Sequence, residues 1–159
     1  MAVVLARIDN RLIHGQVLEA WVPHTRADCI VVANDRVAAE PLRRTMMAAA
    51  VPRNIQVIIG SVEELQEQFS NGRLLERRVL LLFETSDDAL RAHQLGFPFD
   101  TLNLGNMHAG EGKLRYSCTI ALDEQDIGNL DRLEKEEGVR IVSQCVPGDR
   151  ARPWRKLIP

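Results

Sequence analysis

Arg7-Ile8-Asp9-Asn10-Arg11-Leu12-Ile13-His14-Gly15-Gln16-Val17 decides the fold, because it joins two unlike patterns through a polar turn. Upstream, Ala2-Val3-Val4-Leu5-Ala6 is a continuous apolar run, the pattern of a strand buried on both faces. Downstream, Val17, Leu18 and Trp21 fall at helical spacing, so a helix opens at Gly15. Open α/β sheets bind ligands beyond the carboxyl ends of their strands. At a helix opening, unpaired N–H groups and the helix dipole favour anions.

The turn also holds a nucleophile with charges around it. A neutral imidazole at His14 keeps a lone pair that can attack phosphorus. The product carries about two negative charges, by analogy with phosphorylated hydroxyl side chains. Arg7, Arg11 and the amides after Gly15 can meet them with charge-assisted hydrogen bonds. Gly15 has no Cβ and lets phosphate approach the backbone. Asp9 can hold one ring nitrogen and leave the other open. The same residues also fit an ordinary polar loop with an Asp9–Arg11 salt bridge.

Further along, apolar runs at 27–33, 55–59, 78–83, 100–104 and 139–145 predict five more strands. Helical segments lie between them. Asp35 is placed to cap one that restarts at Pro41 and runs to Ala50. Ser61 and Glu64 form a capping-box pattern, and Thr85 or Ser86 caps the next helix. An acidic helix runs from Leu122 to Glu137 and stops at Gly138. Tyr116–Ile120 resembles a short strand too near the preceding one for a helical crossover, which predicts an antiparallel run. The basic tail from Pro147, with Trp154, has no clear pattern. The expectation is an α/β fold, an open and mostly parallel central sheet of six to seven strands with helices on both faces, in one domain spanning 1–159.

That architecture puts Arg43 and Arg44 after the second strand, on the same edge as His14. It puts the glycine-containing loop 105–112 there too. His108 in that loop is either an exposed loop residue or a second polar group facing a phosphate. Met46 and Met47 are expected to fill core.

Composition narrows the classes further. A net charge of −2 over 159 residues argues against a nucleic-acid-coating surface. No apolar run spans a bilayer and no secretory signal is present, so the chain is expected to be cytoplasmic and not membrane-spanning. Cys29, Cys118 and Cys145 are expected to be reduced thiols within apolar segments, and no Cys/His spacing suggests zinc. Neither Gly-x-Gly-x-x-Gly nor Gly-Lys-Ser/Thr occurs. The third strand run ends on Gly60-Ser61, not on a phospho-acceptor aspartate. Cys29 has no arginine-closed loop of the kind a small phosphatase needs.

The segment Val4–Val17 resembles the active-site segment of enzyme IIB components of the mannose, fructose and sorbose class of the bacterial sugar phosphotransferase system. The similarity continues through Ile30–Asp35, Val37-Ala38-Ala39, Val79–Phe83, the glycine loop after Leu104 and Leu122–Ile127. The resemblance implies a protein-phosphohistidine-sugar phosphotransferase. His14 would take a phosphoryl group from a phosphohistidine on a IIA partner and pass it to sugar held by membrane IIC and IID components. His14, Arg11 and Asp9 would be catalytic, with Arg7, Gly15, Gln16, Arg43 and His108 contacting phosphate or partner. It implies no metal or cofactor. Three places depart from the family pattern: Asn10 stands where a second aspartate is common, Gly105-Asn106 where two glycines are, and the following Met107-His108-Ala109 is not the usual sequence. Two rivals are a regulatory module of the same fold that never delivers phosphate to sugar, and a phosphate-binding protein without turnover.

Overall fold

The computed structural model describes residues 2–159. Its main sheet has seven strands in the order β3-β2-β4-β1-β5-β8-β9. These are β1 (Val3–Asp9), β2 (Cys29–Ala33), β3 (Gln56–Gly60), β4 (Val79–Phe83), β5 (Thr101–Asn106), β8 (Arg140–Ser143) and β9 (Arg152–Pro153). All neighbours are parallel except β9, which runs antiparallel to β8. This is the expected open, mostly parallel α/β sheet.

Alternation along the buried strands splits the core in two. Cys29, Val31 and Ala33 of β2 with Val79, Leu81 and Phe83 of β4 face one apolar cluster. It is closed by Leu65 of α4 (Val62–Ser70), Ala89 of α5 (Ser86–Gln94) and Leu130 and Leu133 of α6 (Glu124–Lys135). Ile30, Val32, Leu80 and Leu82 face the other cluster, with Val17, Trp21, Val22 and Val37. Those last residues belong to a π-helical turn (Val17–Trp21), to α1 (Val22–Thr25) and to α2 (Asp35–Ala38). The helix after β1 therefore covers one face, while those after β4 and β5 cover the other. β1 lies between β4 and β5, so crevices open on both sides of its carboxyl end.

Several expectations need correction. Asn34, not Asp35, caps α2: its side chain accepts from Val37 N–H at 2.9 Å, while Asp35 pairs with Arg91. Pro41 does restart the helix, as the first residue of α3 (Pro41–Ala50). None of α3 is fully buried: Met47 packs half-buried against the second cluster, as expected, but Met46 is 65% exposed and does not fill core. Tyr116–Thr119 is a bend between β6 (Leu114–Arg115) and β7 (Ala121–Leu122), which pair antiparallel outside the main sheet, and Ile120 makes a single bridge to Met107 that is parallel, not antiparallel. Four residues that turn back on themselves are too few to present a ladder. The tail adds the edge strand β9 and a 3₁₀ turn whose Trp154 is fully buried. Of the cysteines only Cys29 is buried; Cys118 is exposed and Cys145 half-buried.

One buried polar link titrates. Asn34 Nδ2 donates to Asp88 Oδ2 at 2.8 Å, tying α2 to α5. Burial pushes the Asp88 carboxyl up, and the bonds from Asn34 and Thr85 only partly offset it. The folded chain therefore holds this proton to higher pH than the unfolded chain. Stability from this group rises as pH falls through the raised value and is lost above it. Asp88→Asn keeps an acceptor for Asn34 without the charge. We expect its melting temperature at pH 7 to rise by about 2–4 °C and its dependence between pH 7 and 4 to flatten. A pH profile parallel to that of the wild type would contradict this.

Candidate active site

Arg7 and Asp9 are two apart on β1 and point to the same face. Both are fully buried. A buried guanidinium needs acceptors for all its donors, and Arg7 has them. Nε donates to Asp9 Oδ2 at 3.2 Å. Nη1 donates to Asn103 Oδ1 at 2.5 Å and to the Gln144 carbonyl at 2.8 Å. Nη2 donates to Gln16 Oε1 at 3.3 Å and to the Cys145 carbonyl at 3.0 Å. The Trp21 ring lies 5.0 Å from its Cζ. Burial pulls the guanidinium below its ordinary range, and Asp9 opposes that pull. Arg7 thus does not stand at the rim as the sequence suggested; its place is beneath Asp9, with no donor left for an external phosphate.

Asp9 collects the site. Its Oδ1 accepts from Arg11 backbone N–H at 3.1 Å. Its Oδ2 meets Arg7, Asn106 Nδ2 at 2.9 Å and His14 Nε2 at 2.9 Å. Burial alone pushes the carboxyl up, but the bonds from His14 and Asn106 and the charge of Arg7 outweigh it and hold Asp9 below the usual carboxylate range. An ionised carboxylate only accepts, so the His14 nitrogen facing it carries the proton. Nδ1 is then the nitrogen with the lone pair. It has no hydrogen-bond partner among the described residues and is covered from solvent.

The chain between Asp9 and His14 is held tightly. Leu12 has φ of 58°, a left-handed conformation that costs a leucine roughly 1–2 kcal/mol. Its fully buried side chain and its N–H bond to the Asp9 carbonyl at 2.9 Å offset that cost. The His14 carbonyl accepts from Leu18 N–H at 3.0 Å, so the ring sits where the helix begins, as expected. The side chain is 7% exposed, and Gly15 beside it is open.

The other candidates lie around this centre. Arg11 is exposed, and its guanidinium bonds to no described residue. Gln16 joins Arg7 and Asn106 through Oε1 and reaches Cys145 Sγ at 3.4 Å through Nε2. Arg43 lines a groove on α3 that Ile13 also lines. Arg44 instead bonds the Ala38 and Ile59 carbonyls. His108 is exposed and shares a small polar pocket with Asn10, Glu84 and Lys113. Asn106 and Cys145 are the residues that sequence reasoning missed. They reach the site from β5 and from beyond β8; the sequence placed the loop holding Asn106 on this edge, but nothing local gave either side chain a contact with the site.

The family model for the sorbose-subfamily IIB component of the phosphotransferase system matches residues 3–159. The chain is 35% identical to the N-acetylgalactosamine-specific phosphotransferase enzyme IIB component 2 of Escherichia coli over 98% of each chain. It is 30% identical to the fructose-specific EIIB component of Bacillus subtilis, over 99% of this chain and 96% of that one. The crystal structure of the IIB domain of the Klebsiella pneumoniae sorbose permease superposes with a TM-score of 0.93 at 34% identity, covering 99% and 96% of the two chains. The fold is thus that of a IIB component, a phosphotransferase of sugar transport. The chain belongs to the sorbose subfamily of these components. Among the described residues no helix is long and apolar enough to cross a membrane.

Proposed function

We propose that the chain is a cytoplasmic histidine phosphocarrier, a single IIB domain that takes a phosphoryl group from a IIA phosphohistidine onto His14 and passes it to sugar held by membrane IIC and IID components. The observation that carries this reading is the bond from His14 Nε2 to Asp9, which leaves Nδ1 as the unbonded ring nitrogen with the lone pair. In the first step the Nδ1 lone pair attacks phosphorus, the P–N bond to the donor imidazole breaks, and the donor ring keeps that electron pair. The proton stays on Nε2 against Asp9. In the second step a sugar hydroxyl attacks phosphorus while its proton passes to a base beside the bound sugar, and the P–N bond breaks with Nδ1 keeping the electron pair. Nitrogen suits both roles, because an imidazole is a nucleophile and a leaving group. Since Nδ1 is covered, transfer requires that cover to shift when a partner docks.

Arg11, Arg43 and the amides from Gly15 and Gln16 are the groups at hand to steady the phosphoryl charge, with His108 at the far side of the rim. A IIA partner is supported by the mannose-specific EIIAB component of Escherichia coli, 33% identical over 94% of this chain and 46% of that longer one. The α3 groove, about 690 Å³, adjoins Ile13 and exposes Leu42 and Met46, a patch suited to a protein surface. Met46→Asp is expected to raise the KM for the phosphorylated donor about tenfold, the loss of one apolar contact of ~1.4 kcal/mol, and to leave the melting temperature unchanged. An unchanged KM would remove α3 from the donor interface.

Vesicles containing IIC and IID test the delivery step. Phosphorylated protein should lose its phosphate to sugar there. Retention of the phosphate in the presence of partners and sugar would favour the regulatory reading.

A further inference from the structure

We propose that Asn106 is a positioning residue for phosphoryl acceptance: through Asp9 it fixes which ring nitrogen of His14 stays open. The inference rests on His14 being the acceptor and adds a residue that acts on it from another strand.

The backbone brings Asn106 there by an irregularity. Along β1 and β5, Arg7 lies opposite Asn103 and Ile8 opposite Leu104, but Asp9 lies opposite Asn106. The skipped residue is Gly105, whose backbone lies over the Arg7 guanidinium. A bulge of this kind turns the following side chain to a new direction. Asn106 also anchors the turn, because its carbonyl accepts from Asn10 N–H at 2.9 Å.

Both hydrogens of its amide are then used. Nδ2 donates to Asp9 Oδ2 at 2.9 Å and to Gln16 Oε1 at 3.2 Å. With Arg7, His14 and the Arg11 N–H, Asp9 accepts four donors, about the capacity of a carboxylate. Three of the four converge on Oδ2, the oxygen that faces His14, and leave no room for a proton there, so the imidazole proton stays on Nε2. An amide suits this task because it donates without charge and does not titrate. Removing it takes one of the three donors from Oδ2, weakens the hold on its negative charge and unties Gln16, so the ring is no longer held in one tautomer.

Long-range ¹H–¹⁵N spectra of the uniformly labelled protein, recorded near pH 8 with no phosphodonor, read the His14 tautomer directly. Wild type should show Nε2 protonated and Nδ1 bare. Asn106→Ala should show a substantial population with the proton on Nδ1. Its phosphorylation rate at saturating donor should fall about tenfold, roughly one net hydrogen bond, with KM for the donor unchanged. Asn106→Ser, which keeps a short donor, should fall between the two and covers the case in which the alanine variant does not fold. Identical tautomer populations in wild type and both variants would overturn the proposal, as would a wild type with Nδ1 protonated. If wild type takes no phosphate on His14, the acceptor reading fails, while the spectra still decide what Asn106 does to the ring.

Discussion

Gly105→Ala is expected to lose about 3–5 kcal/mol of stability and, with it, phosphoryl acceptance. A Cβ at this position would lie 2.0 Å from Arg7 Cζ and 2.1 Å from Nη2. An exposed arginine would swing aside. This one cannot, because its five N–H groups are bonded to Asp9, Asn103, Gln144, Gln16 and Cys145 and Trp21 lies against it. Displacing it leaves Asp9 as a buried carboxylate without its cation, a loss costing about 3–5 kcal/mol where it has been measured in other proteins. For a chain of this size that lowers the melting temperature by roughly 10 °C. Thermal unfolding decides it, and a drop of under 2 °C would mean that the Arg7 layer is soft.

Asp9→Asn is the other large effect. The side chain keeps its shape but offers one oxygen to four donors and turns an amide toward some of them. Its expected phosphorylation rate is on the order of 10³-fold below wild type, the size of losing an orienting carboxylate beside a nucleophilic site. Acid behaviour changes too. The folded carboxyl lies below its unfolded value of roughly 3.9, so its contribution to stability is full above that value and disappears as pH falls through the lowered one. The variant should lack that acid limb. Rapid-quench transfer rates and unfolding between pH 6 and 2 measure both; a wild-type rate would remove Asp9 from the acceptor.

What was legible in the sequence follows from which interactions are local. The β1 run, the turn and the helix after it lie within some twenty residues, so the placement of His14 at a strand's carboxyl end followed from pattern alone. The Ser61 capping box was also local, and both its bonds are present. The role of Arg7 was not legible, because burial depends on partners 96 to 138 residues away. Asn106 reaches Asp9 across 97 residues and through a bulge that no spacing announces. Met46 misled for the reverse reason: an Ala-rich helix with methionines has the composition of a core element, yet only Met47 packs inward and the face bearing Leu42 and Met46 is left uncovered.

The central claim is that Nδ1 of His14 carries the phosphoryl group, and phosphorylation of wild type, His14→Ala and Cys145→Ser by a phosphorylated IIA donor tests it most directly. Intact mass and acid lability are the readouts. We expect one acid-labile phosphate on wild type and on Cys145→Ser, none on His14→Ala, and a ¹H–¹⁵N pattern of the phosphorylated ring that puts phosphorus on Nδ1. An undiminished phosphate on His14→Ala, or one lost with Cys145, would contradict it.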